Sequence, residues 1–117
     1  MVLVDAPCSG SGTWRRNPEG RWRLTPERLD RLVAAQSRLL DIAAGMVAPG
    51  GRLVYAICSL LSREGAGQIA DFHQRHSSWI SEEVPIQGGR EDGGGRLLTP
   101  AHDGTDGFFV ACLRRPC

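Results

Sequence analysis

The 117-residue sequence has no lysine: all 14 of its cations are arginine. Against 13 acidic residues the formal net charge is only +1, so bulk charge does not point to a nucleic-acid partner. A genome-wide compositional bias accounts for the missing lysine equally well, although arginine also suits bidentate phosphate contacts and stacking on bases. No apolar run approaches the ~20 residues of a spanning helix. No leader-like segment is visible, since Met1 opens directly into strand-like sequence. A cytoplasmic protein with no membrane association is therefore expected. The four cysteines, Cys8, Cys58, Cys112 and Cys117, include no CxxC pair. That spacing matches neither a zinc ribbon nor a dense disulfide framework. Free thiols and no bound metal are the simpler reading. There is no internal repeat. What remains is a chain of small-domain length, 41% hydrophobic, able to bury a core.

Two stretches organise the rest. Val2-Leu3-Val4-Asp5-Ala6-Pro7-Cys8-Ser9 reads as a strand, buried on both faces, that gives way to a loop at Pro7, which fixes φ and donates no N–H. Arg52-Leu53-Val54-Tyr55-Ala56-Ile57-Cys58-Ser59 repeats the arrangement of strand and then thiol. Between them, Thr25-Pro26-Glu27 is a helix start, with an N-cap, a proline in the first turn and an acid. Leu29, Leu32, Val33, Gln36, Leu39, Leu40, Ala43 and Val47 form one buried face with a polar break at Gln36, which could reach a polar neighbour. Pro49-Gly50-Gly51 ends the helix. Strand, helix and strand make a βαβ unit with parallel strands, and both thiols fall at the C-terminal rim, where open α/β sheets bind ligands.

The remaining segments are more varied. Ser9-Gly10-Ser11-Gly12-Thr13 is a tight turn but not a P-loop, because no Gly-Lys-Ser/Thr follows. Trp14 to Arg23 packs four arginines (Arg15, Arg16, Arg21 and Arg23) and two tryptophans around a Pro and a Gly that forbid a long helix. That mixture suits phosphates and unstacked bases, or else a loop whose tryptophans pack on the core. Ser62 caps a second helix reaching about His76, with Ile69, Ala70, Phe72 and His73 inward. A short strand is expected near Trp79-Ile80. Gln87 to Gly95, with five glycines, reads as a mobile loop. Residues 96–99 and 107–115 read as strands of a hairpin that places Cys112 in the core.

An unperturbed thiol is only a few per cent ionised at neutral pH. A helix start just after Cys58 and the glycine turn after Cys8 would each favour the thiolate. His73, His76 and His102 show no Cys–His hydrolase context, and a redox pair is permitted by the spacing but not suggested by it. A third option is attack of a thiol on C6 of a cytosine, which makes C5 nucleophilic enough to take a methyl group. Such a site needs an acid near the base's N3 and a group to remove the C5 proton. Asp5, Cys8 and Cys58 offer an acid and two thiols.

Asp5-Ala6-Pro7-Cys8-Ser9-Gly10, Arg15-Arg16-Asn17-Pro18, Arg21-Trp22, Tyr55-Ala56-Ile57-Cys58-Ser59-Leu60 and Gly104-Thr105-Asp106-Gly107-Phe108-Phe109 together resemble the Nop/Sun family of RNA cytosine-5 methyltransferases. The bacterial Sun/Fmu ribosomal-RNA enzymes are the nearest group. The resemblance runs in order over nearly the whole chain. It implies an S-adenosylmethionine-dependent enzyme in which Cys58 attacks the cytosine, Cys8 assists release, and Asp5 contacts the base near the methyl donor. It implies cofactor contacts at Asp5 and Pro7, and RNA contacts at Arg15, Arg16, Arg21, Trp22 and Arg23. The sequence departs from the family pattern in having Ile57 where a Thr is usual before the nucleophile, and in following Glu64 with Gly65 where the family often carries Glu-Asn.

The family's glycine-rich cofactor loop and ribose-binding acid precede the Asp-Ala-Pro-Cys strand. The resemblance therefore implies that residues 1–117 form one partial domain: the C-terminal half of a Rossmann-like methyltransferase sheet, a parallel βαβ followed by an antiparallel hairpin. Four expectations follow from this: weak cofactor binding, little or no turnover by this chain alone, an exposed apolar edge at residues 2–5, and self-association along it. A non-catalytic RNA-binding module and a nonfunctional truncated product are the rival readings.

Overall fold

The computed structural model describes all residues 1–117 as one twisted sheet with two helices packed on one of its faces. Strand β1 (Val2–Asp5) runs parallel to β2 (Arg52–Ile57), with Val2 opposite Leu53 and Asp5 opposite Ala56. Strand β6 (Phe108–Arg114) lies antiparallel on the other side of β2. The far edge of β6 is shared end to end: β5 (Gly95–Leu98) pairs with its first half and β3 (Ile80–Glu82) with its second. Strand β4 (Arg90–Asp92) completes the order β1-β2-β6-β5-β4. The parallel pair followed by antiparallel strands is the α/β arrangement that the sequence indicates.

Helix α2 (Pro26–Met46) joins β1 to β2 and starts where its signals place it. The Thr25 hydroxyl accepts from the Arg28 N–H at 3.1 Å, a cap that contributes about 1 kcal/mol. With α3 (Ala66–Arg75) it covers the sheet face bearing Val4, Leu53, Tyr55, Ile57, Phe109, Ala111 and Leu113. Phe72 seals the bottom, fully buried, stacked on His76 and edge-on to Trp79. Two short helices, α1 (Gly20–Arg23) and α4 (Pro100–Asp103), lie in the connections.

Several sequence expectations are revised. β1 is buried on one face only: Val4 is covered, but Leu3 is 65% exposed because no helix packs on its side of the sheet. Leu39 lies outside the buried face of α2, because that helix meets the sheet along Gln36, Leu40, Ala43 and Ala44. Helix α3 begins at Ala66 rather than Ser62, after a turn in which Glu64 and Gly65 donate back to Leu61. Its buried residues are Gln68, Ile69 and Phe72, while Ala70 faces out. The glycine-rich stretch is not a mobile loop but the β4–β5 hairpin and its approach. Gly88, Gly89, Gly93 and Gly94 all have positive φ, a conformation that side chains resist. The β5–β6 hairpin forms as read, and Cys112 is buried.

Candidate active site

Both parallel strands end at the same rim. The β1–β2 ladder continues one bond past Asp5, from Ala6 N to the Ala56 carbonyl, and stops at Pro7. Each strand then turns outward into a Cys-Ser dipeptide. This brings Cys8 Sγ and Cys58 Sγ to 3.5 Å across 50 residues of chain. The two thiols meet, as the repeated strand-then-thiol pattern requires.

The two sulfurs are not equivalent. Cys58 lines an open cleft of about 470 Å³ together with Leu3, Asp5, Thr13, Arg16 and Phe108. Cys8 stands behind it. Burial, and the hydrogen bond to Cys58, push the Cys8 thiol up to about 12, outweighing the backbone N–H groups of Gly10 and Cys58 that point at its sulfur. Burial thus disfavours the Cys8 thiolate, and the two sulfurs lie within hydrogen-bond distance of each other. Contrary to expectation, no helix dipole favours the Cys58 thiolate, since α3 starts eight residues downstream, beyond reach of the thiol.

Asp5 is exposed at the mouth of the cleft, on the uncovered face of β1. Pro7 is exposed as well, but its carbonyl is turned inward to accept from Gln36 Nε2 at 2.8 Å. Only its ring is free to face a ligand. Thus Asp5 and Pro7 can form one wall of a nucleoside-cofactor site, and β1 has no neighbour on its outer side to form the opposite wall.

The arginine-tryptophan segment flanks the same cleft. Arg15, Arg16, Arg21, Trp22 and Arg23 are all exposed, Trp22 by 78%, with the Arg21 guanidinium 5.0 Å from the Trp22 ring. Arg16 is tied to Asp106 at 2.7 Å, joining this segment to the loop before β6. Trp14 is half-buried against Gly20, so one tryptophan packs and the other is displayed. The histidines serve other ends: His73 bonds Ser81 and His76 bonds Asp41, and neither reaches a thiol.

Sequence reasoning missed the group beneath the thiols. Glu64, fully buried, accepts from the hydroxyls of Ser9 and Ser59, from the Ser9 N–H and from Gln36 Nε2. The two Cys-Ser dipeptides were the available signal. Gln36 does find polar neighbours, at Pro7 and Glu64.

A parallel strand pair continued by antiparallel strands, with the connecting helices on one face, is a mixed α/β fold of the kind found in methyltransferase domains. Residues 1–114 match the family described as 16S rRNA methyltransferase RsmB/F, and the chain belongs to that family. It is 44% identical over 115 residues to the ribosomal RNA small subunit methyltransferase B of Thermus thermophilus, covering 97% of this chain and 29% of that protein. Among solved structures it matches PH0851 with a TM-score of 0.90 and 36% identity, over 97% of this chain and 26% of the other. It also matches NSun6 from Pyrococcus horikoshii, solved with SFG, with a TM-score of 0.82 and 28% identity over 97% of this chain and 29% of that one. The chain therefore spans less than a third of the length of these relatives. No helix is long and apolar enough to cross a membrane.

Proposed function

We propose that these residues are the thiol-bearing part of an RNA cytosine-5 methyltransferase acting on ribosomal RNA. The observation that carries this reading is the 3.5 Å approach of Cys8 and Cys58 at the cleft mouth. A single pyrimidine placed in the cleft would meet Cys58 and Asp5, with Cys8 held directly behind the Cys58 sulfur, without any rearrangement of the strands. S-adenosylmethionine, of which SFG is an analogue, supplies the electrophilic methyl group when bound.

The chain's own residues perform the rest. Cys58 sulfur adds to C6 of the base, and the C5=C6 electron pair becomes available at C5. Asp5 faces the N3 edge and relays to N3 the proton that the Cys58 thiol gives up on addition, so that no negative charge builds on the ring. On release Asp5 takes that proton back and returns it to Cys8. After C5 has been methylated it loses its proton to solvent. The C5=C6 bond re-forms and the C6–S bond breaks toward Cys58. The leaving sulfur departs as a thiolate, and Cys8, with its proton held in place, donates to it at the moment of release. The two thiols thus divide the work: the one lining the cleft attacks, and the one behind it assists departure. Arg15, Arg21, Trp22 and Arg23 hold the flanking RNA by phosphate contact and stacking.

As a single partial domain, residues 1–117 offer one wall of the cofactor site, and this chain alone turns over little or not at all. The test is a chimera in which residues 1–114 replace the matching segment of the Thermus thermophilus relative. The chimera should methylate ribosomal RNA and be trapped covalently on 5-fluorocytosine RNA. Cys58→Ala should abolish both while leaving RNA affinity unchanged. Cys8→Ala should accumulate the adduct. The exposed Arg21–Trp22 pair also supports a non-catalytic RNA-binding module. That reading prevails if the chimera retains RNA, forms no adduct and is indifferent to Cys58→Ala.

A further inference from the structure

Glu64 is a carboxylate with no exposed surface and no cation beside it. A buried charge of this kind survives only when its acceptor sites are filled. Here all four are. Oε1 accepts from Ser9 Oγ at 2.6 Å and Ser59 Oγ at 2.5 Å, and Oε2 accepts from Ser9 N at 2.8 Å and Gln36 Nε2 at 2.9 Å. The two serines are the residues immediately after Cys8 and Cys58. One oxygen atom therefore anchors both thiol-bearing loops, which leave different strands and lie 50 residues apart.

The anchor is itself held. Tyr55, buried in the sheet, donates its hydroxyl to the Glu64 carbonyl at 2.6 Å. Gln36 from α2 donates to both Glu64 and the Pro7 carbonyl, and its oxygen accepts from Gln68 of α3. Gln68 also bonds the Val33 carbonyl and accepts from Ser37. The layer under the thiols is thus a continuous polar network inside an otherwise apolar core, with Glu64 at its centre.

We infer that Glu64 is a positioning residue: its carboxylate sets the distance between the Cys8 and Cys58 sulfurs by seating the serine beside each. The inference deepens the reading of the thiols as one reacting pair and rests on it, but it is a statement about geometry and can be tested without RNA or cofactor. The side-chain requirements are specific. The Ser9 N–H and Gln36 amide cannot reverse, so the Oε2 position must remain an acceptor. The two serine hydroxyls at Oε1 can rotate and accept instead. Gln at this position, with its amide nitrogen toward the serines, would keep both loops seated. Asp, one methylene shorter, would not reach.

The experiment uses the full 117-residue chain with Cys112→Ala and Cys117→Ser, equilibrated in reduced and oxidised glutathione. Each Cys8–Cys58 disulfide formed converts one oxidised glutathione into two reduced ones, so the equilibrium reads the effective concentration of one thiol at the other. Glu64→Ala and Glu64→Asp should lower that value by about tenfold or more. Glu64→Gln should remain within about threefold of the parent, and Ser9→Ala and Ser59→Ala should each lose about threefold to tenfold. Ser37→Ala, which removes a hydrogen bond outside the clamp, should leave it unchanged even where the melting temperature falls. Should Glu64→Ala lack a cooperative melt, the two serine variants against Ser37→Ala decide the matter. An unchanged value in Ser9→Ala and Ser59→Ala, or a loss in Ser37→Ala equal to theirs, would overturn the assignment. Failure of methyl transfer in the chimera would leave this result untouched.

Discussion

Gly107 donates its backbone N–H to the Gly12 carbonyl at 2.7 Å, and the two backbones touch with no side chain between them. Gly12 also donates to the Cys58 carbonyl at 3.1 Å, so this contact ties the loop after Cys8, the loop after β2 and the entry to β6 into one knot. A Cβ on Gly12 would lie 2.6 Å from the Gly107 carbonyl carbon, where only backbone could yield. Gly12→Ala should therefore cost about 1–3 kcal/mol and displace Cys58. Gly45→Ala, within α2 and with nothing within 4 Å of the new methyl, should stabilise by about 0.5–1 kcal/mol. Thermal melts of the two variants beside the parent check both signs.

The raised Cys8 thiol makes stability depend on pH in a defined direction. In the unfolded chain the thiol ionises near its ordinary 9.0, whereas burial in the folded chain delays ionisation to about 12. The unfolded state therefore releases its proton first as pH rises. The contribution is fully present below about pH 9 and declines between the two values. Cys8→Ala should flatten the alkaline limb of a stability-against-pH curve. Mass spectrometry after brief alkylation at mildly alkaline pH should show Cys8 modified more slowly than the exposed Cys117.

The thiol pair was legible because Val2–Cys8 and Arg52–Cys58 carry the same message locally: apolar strand, then thiol, at the rim of a βαβ unit. Helix α2 was legible because Thr25 and Pro26 are local signals. Glu64 was not, because its partners lie 5, 28 and 55 residues away and nothing in its own neighbourhood announces them. Leu39 was misplaced for a related reason. A helix's periodicity shows that one face is apolar but not how much of that face a sheet covers. The glycines at 88, 89, 93 and 94 misled because flexibility and a demand for positive φ leave the same mark on a sequence.

Trp22 should act as a stacking platform. It is 78% exposed and backed by Arg21. Trp22→Ala should weaken single-stranded RNA binding by about 1–3 kcal/mol. Arg15→Ala and Arg23→Ala should each lower the salt slope of binding by about 0.7. Arg16→Ala should lower it less, because Arg16 already faces Asp106 at 2.7 Å. Anisotropy titrations at several salt concentrations separate the three effects. A slope unchanged in every arginine variant would remove this segment from the RNA surface.

The outer edge of β1 should make the 117-residue chain self-associate. Leu3, Ile42 and Met46 are 65%, 62% and 70% exposed, and they line one apolar groove of about 310 Å³ along this edge. The edge itself presents unpaired backbone N–H and C=O groups, since β1 ends the sheet. An open strand flanked by apolar side chains is a template for another strand, and a second copy offers an identical one. Pairing about a two-fold axis would set the two β1 strands antiparallel and close the groove from both sides. Sedimentation velocity should show a concentration-dependent shift from monomer to dimer in the parent chain. Leu3→Lys places a charge on the edge strand and Ile42→Glu places one in the groove wall. Either should hold the chain monomeric across the same range, with the thiol pair intact by glutathione exchange. A parent chain that sediments as a monomer at every concentration would show that strand and groove together are too small a surface to bind a second copy.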